Sequence, residues 1–112
     1  VNKEAKEKWI TALRSGNYKQ GKCCLKGADN TYCCLGVLVE VFEKHHGLKF
    51  DQKINVSYNA VEFGAYCCKS VPPEIVINWL GITPSHQTLL MNLNDNHGCS
   101  FAGIAAVLEH LD

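Results

Sequence analysis

Three pairs of adjacent cysteines, Cys23-Cys24, Cys33-Cys34 and Cys67-Cys68, are the residues of this chain with the widest chemical range. Thiolates bind soft metals, form disulfides and attack electrophiles. With Cys99 the count is seven, so at least one cysteine has no partner within the chain. Neighbouring cysteines bridge each other only across a strained peptide, which disfavours a disulfide frame. Structural zinc sites space their ligands two to four residues apart, and the chain has no Cys-x2-Cys. The zinc alternative therefore rests on a looser set, with Cys23, Cys33 and Cys34 meeting across a turn and His45 near in sequence. No cofactor is otherwise implied. A thiol nucleophile needs a basic partner and a lowered pKa. The five histidines, His45, His46, His86, His97 and His110, lie in no catalytic signature, and no P-loop, GxGxxG, HExxH or GxSxG is present. The competing reading treats the cysteines as small buried hydrophobes, one member of a doublet facing in and the other out.

A second group of residues could bind rather than react. In "LNDNHG", Asn94, Asp95 and His97 could converge on a ligand, but the preferred reading has them turn the chain and cap the final helix. Tyr18, Tyr32 or Trp79 could stack a base while Lys19 or Lys22 meets a phosphate. For Trp79 core packing is preferred. The candidate binding set is Tyr18, Gln20, Lys22, Tyr32, Asn94 and Asp95.

These residues must be held by the elements around them. Ala5, Trp9, Ala12 and Leu13 recur at helical spacing, with Asn2 as cap and Gly16 as stop. Gly27, Asp29 and Asn30 mark a turn between short runs at 22–25 and 31–34, which predicts a β-hairpin. The second run enters a helix with Leu35, Leu38, Val39 and Phe42 on one face, ended by Gly47. One thiol of Cys33-Cys34 is then expected against Trp9 or the final helix, the other at the hairpin edge. Alternation at Ile54, Val56 and Tyr58 allows one further strand within 48–70. "VPPEIVINWLGI" starts a helix after its prolines, with Ile75, Val76, Trp79 and Leu80 inward and Gly81 closing it. "HQTLLMNLND" reads as a short strand entering a turn. Ser100 caps a final helix with Phe101, Ile104, Ala105, Leu108 and Leu111 inward. The fold expected is α+β, a small, mostly helical single domain over 1–112, with about four helices and a short N-terminal hairpin.

Composition narrows the partners. Eleven basic residues balance eleven acidic ones, so nucleic-acid binding through a strong overall positive field is not indicated. The first 26 residues hold seven lysines and arginines against two glutamates, an excess that a solvated helix face accounts for. No apolar run is long enough to span a bilayer, and the N-terminus lacks the apolar stretch of a signal peptide. A cytoplasmic location with reduced thiols is expected.

Four segments carry a resemblance. "KWITALRSGNYKQGK", "YCCLGVL", "PPEIVINWLGI" and "LNDNHGCSFAGIAAVLEHL" resemble, in that order, a group of small uncharacterised proteins encoded by tailed bacteriophages and prophages. The matching positions include Trp9, Ser15, Gly16, Tyr18, Gln20, Cys33, Cys34, Gly36, Pro72, Pro73, Trp79, Asn94, Asp95, Phe101 and Ile104. Cys23-Cys24 and Cys67-Cys68 lie outside the pattern, so the three doublets do not read as one device. The resemblance implies a phage-type accessory protein in a host bacterial cytoplasm and carries over no activity. The expected function is non-catalytic binding and neutralisation of a host component, either a defence protein or a nucleotide-derived immune signal. Self-association is compatible with that role. The alternatives are a small metal- or thiol-dependent enzyme and a virion or assembly component.

Overall fold

The computed structural model describes residues 2–21, 31–47, 72 and 74–111. Among the described residues the chain forms five helices and two very short strands: α1 (Lys3–Arg14), β1 (Lys19–Gln20), β2 (Thr31–Tyr32), α2 (Cys34–His46), α3 (Glu74–Leu80), α4 (Pro84–Asp95) and α5 (Phe101–Glu109). This is the expected mostly helical α+β fold.

Helix α1 starts where Asn2 Oδ1 accepts the Ala5 N–H at 3.1 Å, one of the donors a helix start leaves free. The same residue also closes α3. Its backbone N–H donates to Leu80 O at 2.8 Å, and its Nδ2 donates to Trp79 O at 3.3 Å. Ala5, Trp9, Ile10 and Leu13 form the buried face of α1, which packs on α2 and α5. Helix α2 is the centre of the molecule. Its first five residues, Cys34 to Leu38, are all buried, because a helix entering a core is covered on every side. Its outer half is amphipathic and ends at Gly47, whose left-handed φ of 65° suits the residue without a Cβ. Ser100 caps α5 by accepting the Gly103 N–H at 3.2 Å, and Phe101, Ile104, Ala105 and Leu108 face the core.

Three expectations need correction. The β pairing is parallel rather than a hairpin, with Lys19 opposite Thr31 and Gln20 opposite Tyr32. The first strand lies upstream of the apolar run at 22–25, which falls outside the described residues, as does the strand expected within 48–70. Residues 86–95 are helical, which raises the helix count to five among the described residues. Thr83 caps that helix by accepting the His86 N–H at 3.1 Å, and Pro84 stands in the first turn, where a missing N–H does no harm. On α3 only Val76 and Leu80 are buried. Ile75 is 52% exposed and Trp79 half-buried.

Candidate functional site

Asn94 is the one buried polar side chain in the described core, and it joins three parts of the chain. It stands in the last turn of α4, one helical turn after the buried Leu90. Its Oδ1 accepts from Gln20 Nε2 at 2.9 Å and from the Cys34 N–H at 3.2 Å. Its Nδ2 donates to Gly21 O and to Asp95 Oδ1, both at 2.8 Å. Gln20 is used as fully. Its Nε2 also donates to Cys99 O at 2.8 Å, and its Oε1 accepts the Phe101 N–H at 3.1 Å.

Two helix starts are thereby capped from a distance. Cys33 gives α2 no side-chain cap, and Asn94 supplies it. Gln20 supplements Ser100 at the start of α5. Asn94 was expected to turn the chain and cap the final helix; instead it caps α2, and Gln20 reaches α5. Gly21 completes the junction by donating its N–H to Tyr32 O at 2.7 Å. A Cβ on Gly21 would lie 2.7 Å from Thr31 Cβ, so the close approach of the strands requires glycine there.

The two thiols of "TYCCLG" sit inside this junction. Cys33 and Cys34 are both buried, at 3% and 0% exposure, so neither lies at an exposed edge as expected. The reason is that the chain enters α2 at Cys34, within the core, rather than continuing as a surface strand. Cys34 Sγ donates to Leu90 O at 3.6 Å, and Trp9 Nε1 donates to Cys34 O at 2.9 Å. Burial pushes the Cys33 thiol up to about 11, with Asp95 adding to the shift. Burial likewise raises the Cys34 thiol, helped by Cys33 and Asp95. Both are neutral thiols at physiological pH, the opposite of an activated nucleophile. His45 is eleven residues along α2 from Cys34, about 16 Å at 1.5 Å per residue, too far to share an ion with it. Cys23 and Lys22 lie outside the described residues. Among the described residues no group of three or more His, Cys, Asp or Glu side chains could hold a metal.

Chemistry that faces solvent lies on the other side of Tyr18. The Tyr18 and Tyr32 rings meet edge to face at 5.3 Å. Lys44 Nζ donates to the Tyr18 hydroxyl at 2.8 Å and stands 5.2 Å from the centre of that ring. This contact raises the Lys44 ammonium above its ordinary range, with Glu40 adding to the effect. An open groove of about 340 Å³ runs beside the pair between α1 and α2. Beyond it, Trp79 is bordered by Phe42, His45 and His46, with ring centres 5.2–5.4 Å away. The sequence did not single out Lys44. It is one of many lysines on solvated helix faces, and only the fold brings it to Tyr18.

A family model matches residues 1–112. The chain belongs to the family described as domain of unknown function DUF8296. No curated protein and no solved structure matches it. In this DUF8296 chain, then, the candidate residues divide into two groups. Gln20, Asn94 and Asp95 belong to an internal latch in which both amides are saturated. Tyr18, with Tyr32 behind it, borders the surface groove. Among the described residues no helix is long and apolar enough to cross a membrane.

Proposed function

We propose that this DUF8296 chain is a non-catalytic binding protein that captures and neutralises a component of a bacterial host. The resemblance of its four segments to tailed-phage and prophage proteins supplies the setting, and a host bacterial cytoplasm is the corresponding location. The observation that carries the reading is the direction in which the chemistry faces. The Cys33 and Cys34 thiols are sealed in the core as neutral groups, and the Gln20 and Asn94 amides are spent on backbone and on each other. Solvent meets instead a groove edged by lysine, hydroxyl and phenol groups, which suits holding a partner more than transforming one. A host protein or a nucleotide-derived small molecule is the partner class. The test is capture from bacterial lysate with the full chain, followed by native mass spectrometry, which also reports self-association. A stoichiometric retained protein or small molecule, absent from a control bait, is the expected result. Recovery of the chain alone would overturn the reading.

A further inference from the structure

We propose that the groove between α1 and α2 is a site for a small ligand carrying a phosphate monoester beside an apolar ring, a reading that rests on the binding function above. Lys8 and Lys44 would meet the phosphate, and Tyr18 would meet the ring. The two lysines enter the lining from different helices, and among the described residues no carboxylate lines the groove. Glu40, one turn before Lys44 on α2, lies outside the lining. A carboxylate offers two oxygens in a plane, whereas a phosphoryl group offers three around a tetrahedron. Donors arriving from two helices suit the second, and lysine serves phosphate as a mobile point charge.

The rest of the groove is suited to an apolar ring. Ala12 and Val41 give it apolar walls, and the Tyr18 ring stands at its edge, braced from behind by Tyr32. Its volume of about 340 Å³ is at the lower end of the range for small-molecule sites. Lys44 links the two halves. Its ammonium now rests on the Tyr18 hydroxyl, 5.2 Å from the ring centre, a solvent-facing contact that a swing of the long side chain gives up. A phosphate in the groove draws the ammonium off the hydroxyl, while a planar ring settles on the Tyr18 face.

The experiment is titration calorimetry of the full chain with adenosine monophosphate, adenosine and inorganic phosphate as probes. Saturable one-to-one binding of the monophosphate is expected, with adenosine at least about tenfold weaker and inorganic phosphate competing. Lys8→Ala and Lys44→Ala should each weaken the monophosphate by about fivefold, and Tyr18→Ala by a similar factor. Lys3→Ala, outside the groove, should leave it within about twofold. Circular dichroism confirms that each variant is folded. Equal affinity for adenosine and its monophosphate, unchanged affinity in both lysine variants, or no saturation at millimolar monophosphate would each overturn the site. Lysate capture that persists in the Lys8→Ala/Lys44→Ala double variant would also refute it while leaving the binding function standing. Monophosphate binding without any captured host component would do the reverse.

Discussion

Replacing Asn94 by alanine removes four hydrogen bonds from a side chain that is 1% exposed. The Cys34 N–H loses the partner that caps α2, and Gly21 O loses its donor. Gln20 Nε2 keeps Cys99 O, so its share of the loss is smaller. A buried group left unpaired costs about 1–3 kcal/mol, so the two backbone groups together predict a loss of about 2–6 kcal/mol. That is a large share of the roughly 5–15 kcal/mol typical of a domain. In urea, with a slope of about 1–3 kcal/mol per molar, the midpoint should fall by about 2 M. Asn94→Asp separates shape from bonding. It keeps an acceptor for Cys34, loses the donor to Gly21 O and sets a carboxylate beside Asp95, so at neutral pH it should be at least as damaging as alanine. Gln20→Ala, combined with Asn94→Ala in a double-mutant cycle, should show a coupling of about 1–3 kcal/mol. Asn92→Ala, on the exposed side of the same helix, should change stability by less than about 0.5 kcal/mol. A loss below about 1 kcal/mol for Asn94→Ala, a neutral Asn94→Asp or additive effects at Gln20 would refute the latch.

Four further outcomes follow from the same geometry. Cys33 and Cys34 should resist alkylation in the folded protein while Cys99, half-buried, reacts before them, as peptide mapping by mass spectrometry would show. Because the folded Cys33 thiol is raised from 9.0 to about 11, the native state holds its proton longer than the unfolded chain. Stability from this group is therefore complete below pH 9 and lost as pH rises toward 11, by roughly 3 kcal/mol, measurable as a falling urea midpoint. Trp9→Phe removes the donor to Cys34 O and part of a fully buried ring, which should cost about 1–3 kcal/mol in the same assay. Arg14→Ala or Glu109→Ala breaks a two-pronged pair between α1 and α5, but with both side chains close to half exposed the midpoint at physiological salt should not move.

How much of this could be read from the sequence depended on whether a signal was local. Gly16, Gly47, Gly81 and Ser100 act within a turn of where they stand, as Asn2 does in capping α1, and each marks the expected helix boundary. Helix α4 was misread because its inward face is Leu90 followed by Asn94. A polar residue at a core position breaks the apolar period on which helix recognition relies. Its start was nonetheless written in Thr83 and Pro84. The strand pairing was misplaced because Gln20 and the Gly21 backbone set it, rather than alternating apolar residues. Asn94 and Gln20 were named as candidates, yet apart from Asp95 their partners are 60 to 81 positions distant in the chain. Nothing local distinguishes an amide that binds a ligand from one that saturates a latch.

The latch and the groove meet within four residues. Tyr18 stands two positions before Gln20, and Gly21 follows it. This stretch has only a two-residue strand to hold it, so by itself it would leave the Tyr18 phenol free to wander. Gln20 ties it to Cys99 and to the start of α5, Asn94 ties Gly21 to α4, and Tyr32 receives the Gly21 N–H. Three separate elements therefore fix the backbone beside Tyr18, while Tyr32 braces the ring itself. Lys44, by contrast, is exposed and held only at its tip. A rigid aromatic plane beside a mobile cation is the division of labour that a binding site needs, because the ordered part limits the entropy lost on binding and the mobile part adapts to the ligand. On this view the buried amides serve binding without touching a ligand, by giving an irregular segment the order of a helix.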